Sequence, residues 1–174
     1  NNKVSFISST VSPNGANLSI PTSLVMAPNL AMACAPCVVD PNRAAKFCEL
    51  FATNEAKSAY NVAFNKGTDA RFCKEYEIFK NTPNGVFLDK LSGEPLFDTD
   101  DRFVSRSGWL SFTKPVSGSV YELPDNSYGM KRIEIRSVSS GIHLGHVFND
   151  GPNGMPRYCI NATVLEFKAR NEIS

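Results

Sequence analysis

The chain has 174 residues, with 18 Lys plus Arg against 17 Asp plus Glu and a formal net charge of +1. That near-balance makes no case for a nucleic-acid or membrane surface, and no run approaches the roughly eighteen apolar residues of a membrane span. The length suits one domain with an extension and a substantial core, and five cysteines without a regular framework point to free or redox-active thiols in a reducing medium, cytoplasmic or organellar.

Residues 1–39 contain no acidic residue, one Lys and many Ser, Thr, Asn and Pro, the composition of an irregular arm or of a remnant of a targeting segment. Residues 40–174 read as a single domain. Cys34 and Cys37 have C-x-x-C spacing, but no second pair follows at zinc-ribbon distance and Cys48 would be only a third ligand, so a surface dithiol or disulfide is the better reading. Asp40 and Pro41 have the capping chemistry of a helix start, and Ala44, Phe47, Cys48 and Phe51 follow as an apolar stripe. Residues 54–60 form a second short helical candidate. From Gly85 onward the pattern changes to strands and turns, at residues 86–88, 95–97, 120–123 and 132–138, the last with Ile133 and Ile135 alternating against charged neighbours. The fold class is therefore mainly β, two antiparallel sheets packed together, with an N-terminal helical segment.

The reactive groups are concentrated in residues 141–167, which hold both histidines and one cysteine. Two extended runs, 142–148 and 157–167, flank a loop rich in Gly, Pro and Asn, so they pair and bring His143 and His146 near Cys159. Alternation puts Arg157, Cys159, Asn161 and Thr163 on one face and Tyr158, Ile160, Ala162 and Val164 on the other. A guanidinium two residues from a thiol favours the thiolate, and imidazoles can hold or deliver a proton. The histidines are three apart and would point to opposite faces of an ideal strand, unless a bulge at Gly145 re-aims one of them. A lone strand cysteine is also a common core residue, and a His-x-x-His pair is half of a metal site, here without carboxylate or thiolate partners at ligand spacing. Spacing leaves both readings of Cys159 open.

The run GIHLGHVFNDGP followed by RYCIN, preceded by GEPLFDTDDRFVSRSGWLSF and NSYGMKRIEIRS, resembles the B-type peptide-methionine sulfoxide reductases in order and spacing over about residues 56–167. The resemblance implies a tent-like pairing of the two sheets, a turn over residues 70–76 before the first main strands, and reduction of the R epimer of methionine sulfoxide. It makes Cys159 the nucleophile, Trp109 with Phe148 the wall that receives the substrate methyl group, and His143, His146, Asp150, Arg157 and Asn161 the polar site residues. A sulfenic acid on Cys159 would condense with a second thiol, and a thioredoxin-like donor would reduce the disulfide. Many members place a resolving cysteine where Ser107 stands here; others place it where this chain has Cys73, which becomes the candidate and which its charged neighbours Arg71, Lys74 and Glu75 should keep near solvent. Many also bind a structural zinc through two C-x-x-C pairs, whose places are taken by Asp89, Ser92, Ser137 and Ser140, so neither metal nor cofactor is expected. The implied partners are oxidised methionine and the reductant, for a monomer with no nucleic acid or membrane. An inactive peptide- or protein-binding module on the same scaffold is the alternative.

Overall fold

A computed structural model describes residues 54–172. The irregular arm, the Cys34 and Cys37 pair and the helix expected after Asp40 lie outside the described residues. Helix α1 spans Asn54–Asn65, longer than the segment 54–60 expected, because Ala59, Val62 and Ala63 extend one buried stripe through its second half. It ends where Lys66 takes a left-handed conformation and the Gly67 amide reaches back to Asn61 O at 3.0 Å, a common helix stop. The segment expected as a turn after Ala70 contains a short helix, α2 (Lys74–Phe79), which starts directly after Cys73 and has Glu75 and Glu77 in its first turn.

The strands are β1 (Gly85–Asp89), β2 (Pro95–Asp98), β3 (Arg102–Phe103), β4 (Leu110–Phe112), β5 (Val120–Asp125), β6 (Arg132–Ser137), β7 (His143–Phe148), β8 (Arg157–Ile160) and β9 (Leu165–Ala169). They form two antiparallel sheets, of order β2-β1-β9 and β3-β4-β8-β7-β6-β5, as the alternating pattern indicates. Phe87 and Phe97 of the small sheet meet Phe112 of the large one at ring-centroid distances of 5.4 and 4.6 Å. With Ile135, Ile160, Val164 and Leu165, all fully or almost fully buried, they close the interface between the sheets.

Two strand expectations are corrected. Residues 157–167 are not one strand. The run leaves the large sheet after Ile160, turns through a 3-10 segment at Ala162–Val164 and restarts as β9 in the small sheet. Asp69, 94 positions away from Thr163, causes the break: its carboxylate accepts from Thr163 N at 3.0 Å and Thr163 Oγ1 at 2.7 Å. In β6 the expected inward alternation of Ile133 and Ile135 holds only for Ile135. Ile133 is 42% exposed, while Glu134 between them is fully buried. Both faces of β6 are in use, one for the core and one for a polar site.

Candidate active site

Strand register assembles the site. Leu123, Glu134, His146, Cys159, Ser111 and Phe103 lie opposite one another across the six strands of the large sheet, so their side chains share the face turned away from the small sheet. A second row on that face pairs Asp125 with Arg132 and Phe148 with Arg157. The two histidines join one face as the bulge at Gly145 requires: β7 pairs Gly145 with Ile135 but His143 with Arg136, leaving Leu144 as the extra residue. Their rings are 5.3 Å apart. Gly145 also permits the close approach of β7 to β8, since a Cβ there would sit 2.0 Å from Cys159 O.

A pocket of about 130 Å³ opens on this face. Among the expected residues it is lined by Cys159, His146, Asn161, Trp109 and Phe148, and Thr68, Arg132 and Gly145 complete it. The indole of Trp109 is anchored by its Nε1, which donates to Asp69 O at 3.0 Å, and by Arg71 stacked 5.6 Å from its ring. Asn161 is buried and holds two elements together: its Nδ2 donates to Leu144 O at 3.0 Å and its Oδ1 accepts from Asp69 N at 2.9 Å.

His143, Asp150, Arg157 and Cys73 do not line the pocket. His143 is 1% exposed and stands behind His146; its Nδ1 faces Glu134 Oε1 at 2.8 Å, and its Nε2 is buried without a partner among the described residues. Burial lowers its pKa to about 4 against the pull of Glu134. Burial opposes ionisation of Glu134 as well, but Lys66, His143 and Arg136 outweigh it and leave its pKa below the ordinary value. The Nε2 of His146 faces Asp125 Oδ2 at 2.7 Å. Hydrogen bonds from Ser127, then His146, hold Asp125 well below the usual carboxylate range, while burial lowers the pKa of His146. An ionised Asp125 facing a neutral imidazole places the ring proton on Nε2 and leaves Nδ1 as the basic nitrogen.

Arg157 donates from Nε and Nη2 to the two oxygens of Asp150 at 2.8 and 2.9 Å and covers the Phe148 ring at 4.6 Å. Asp150 is thus a holder of Arg157 at the rim. Arg157 does favour the thiolate of Cys159, but burial has the larger effect and raises the thiol pKa, so that Arg157 and then Ser107 only offset it in part. Cys73, expected near solvent, is half-buried against the core, and burial pushes its thiol up to about 11. Both cysteines are free thiols.

Glu134, Asp125 and Arg132 were missed by the sequence reading. Asp125 and Arg132 flank a hairpin turn and pair at 2.8 Å, a signal legible as opposite charges facing across a turn. Glu134 gives only the ambiguous signal of a charge between two isoleucines.

The four places expected to lack zinc ligands do converge, between the end of β1 and the β6–β7 turn. Asp89 Oδ1 accepts from Leu91 N at 2.8 Å and Ser92 N at 3.1 Å, and Oδ2 accepts from Ser140 and, at 3.4 Å, from Ser139. Ser139 also meets Ser92 at 2.6 Å and Ser137 at 3.0 Å. These residues do not fit a structural zinc: three neutral hydroxyls replace thiolates, and the single carboxylate is committed on both oxygens. A family model described as SelR domain matches residues 56–169 of the chain.

Proposed function

The chain belongs to the SelR family, the B-type methionine-R-sulfoxide reductase domain, and on that premise we propose a thiol mechanism centred on Cys159. The observation that carries it is the shared pocket: Cys159, His146, Asn161, Trp109 and Phe148 line one small cavity, where a thiol and a base face an apolar wall. The methyl group of the substrate packs against Trp109 and Phe148, which brings its sulfur to Cys159. His146 Nδ1 takes the thiol proton, the thiolate attacks the sulfoxide sulfur, and the S–O bond breaks as oxygen passes to Cys159. The proton returns to that oxygen, so that thiol plus sulfoxide become sulfenic acid plus thioether. Arg157, held by Asp150, and Ser107 offset the cost of ionising a buried thiol. His143 acts through His146, and Asn161 holds β7 to the Asp69 loop.

A second thiol then condenses with the sulfenic acid, releasing water, and a dithiol reductant of the thioredoxin kind restores both thiols. Cys73 is the candidate. Its loop is tied to the segment beside Cys159 by Phe72 N to Gly108 O at 2.9 Å and Arg71 Nε to Ser107 O at 2.8 Å. A thiol pushed up to about 11 by burial is a poor nucleophile there, so the loop opens before Cys73 reacts. The proposal takes residues 40–174 as one monomeric reductase domain and residues 1–39 as an irregular arm. The test is incubation of the two epimers of an N-acetylated methionine sulfoxide with dithiothreitol. N-acetylmethionine formed from the R epimer alone supports the mechanism; formation from neither epimer leaves the binding module.

A further inference from the structure

We infer that Arg132 receives the sulfoxide oxygen, so that the pocket selects the oxidised form of its substrate through a guanidinium contributed by β6. This rests on the reductase reading of the pocket and adds to it a residue that touches the substrate. The S–O bond of a sulfoxide is strongly polarised, and the negative charge on oxygen grows as sulfur is attacked, so the oxygen needs a donor that does not have to be ionised first. Most polar groups lining the pocket are already committed. Trp109 Nε1 donates to Asp69 O, the Asn161 amide donates to Leu144 O, and the Nε2 of His146 faces Asp125. The other imidazole nitrogen of neutral His146 carries no proton. Thr68 offers an uncharged hydroxyl. Arg157 lies outside the pocket on Asp150.

Arg132 is different on three counts. Among the described residues it is the one permanent cation lining the pocket. Its hydrogen bonds all leave from Nη2, to Asp125 Oδ2 at 2.8 Å and Ser127 Oγ at 3.1 Å, while Nη1 and Nε have no partner among the described residues and Nε is buried. Buried donors are rarely left unpaired in a finished structure. Asp125 fixes the guanidinium from behind by the same Oδ2 that faces His146, so the oxygen-binding group and the base are set by one carboxylate. Register places Arg132 two residues from Glu134, in the row next to that of His146 and Cys159, on the same face.

Binding by a form that cannot react separates this role from a structural one. In Cys159→Ser, titration with N-acetyl-methionine-(R)-sulfoxide methylamide and with its thioether, read by the fluorescence of Trp109, the one tryptophan of the chain, should show tighter binding of the sulfoxide. Adding Arg132→Gln should weaken sulfoxide binding about 10- to 100-fold, the usual effect of losing a hydrogen bond to a charged group, and thioether binding less than about threefold. Equal weakening of both ligands, or of neither, overturns the inference. Arg132→Lys keeps the charge against Asp125 and serves if the Gln form does not fold: a selective loss of about fivefold or more is expected, and unchanged sulfoxide affinity overturns the role. Turnover of the R epimer by the unmodified chain is measured alongside. Its absence overturns the reductase reading; its presence with an unselective Arg132 variant overturns only the role of Arg132.

Discussion

Two polar clusters of similar make-up sit at the two ends of β6, and they are finished differently. In the cluster around Asp89 both carboxylate oxygens and the hydroxyls of Ser92, Ser137, Ser139 and Ser140 are partnered within the protein. In the cluster around Cys159, Arg132 Nε and His143 Nε2 are buried with no partner among the described residues, and burial raises the thiol pKa. Polar groups that satisfy one another hold two sheets together; polar groups left open are reserved for a reactant. A saturated cluster should therefore fail in stability and an open one in chemistry.

The largest expected effect is on chemistry. Cys159→Ser should abolish turnover while changing unfolding stability by less than about 1 kcal/mol; substantial residual activity would remove Cys159 from the reaction. The converse test is Asp89→Ala, which strips the acceptor from several buried donors and should destabilise by about 3 kcal/mol in urea while the molecules still folded keep their kcat. A drop in kcat without loss of stability would show that the two clusters are not separable.

Acid should expose the open cluster. An unfolded histidine titrates near 6.5, whereas His143 in the fold is held down to about 4. Between these values the unfolded chain binds a proton that the folded chain refuses, so stability falls as the pH is lowered through that window, by roughly 3 kcal/mol. His146, also lowered, acts in the same direction, and Asp125 and Glu134, held below their ordinary values, extend the loss to more acidic pH. A urea midpoint that stays level from pH 7 to pH 4.5 would contradict this.

Smaller effects concern recycling and metal. Cys73→Ser should keep single-turnover chemistry and lose thioredoxin-driven cycling, with a Cys73 to Cys159 bridge recovered by peptide mapping of the unsubstituted chain after one turnover. Normal cycling by the variant, or a bridge from Cys159 to Cys34 or Cys37, would give the resolving role to the N-terminal arm. A strong chelator should leave thermal unfolding unchanged. A shift, or one zinc per chain by elemental analysis, would mean that a metal is held by residues outside the Asp89 cluster.

The pairing of β7 with β8, the bulge at Gly145 and the grouping of Cys159 with His146 were legible because they rest on local alternation and turn chemistry. What was hidden depends on contacts far apart in sequence. Nothing near Thr163 announces Asp69, whose carboxylate turns the chain from one sheet into the other. Period-two alternation names two faces of β6 but not which residue is inside when both are covered, so Glu134 read as a solvent charge. GWLSF, read for its Trp109, also supplies β4, a strand too short to stand out, all three of its residues buried. The pKa of Cys159 depends on how deeply it is buried, which spacing does not measure.

The passage of the chain from β8 directly into β9 has a consequence for biogenesis. β9 is the last strand of the described fold, and it pairs Ala169 with Gly85, a closure across 84 positions. Such long-range pairing forms late and slowly. Until it forms, the small sheet has only its β1–β2 hairpin, and the segment holding Asn161 and Thr163 has not been drawn against Asp69. On a nascent chain, Cys159 is then an ordinary thiol without its burial, open to oxidants and to alkylation. Pulse-labelling of stalled nascent chains with a small electrophile should find Cys159 most reactive just before β9 clears the ribosome and protected soon after.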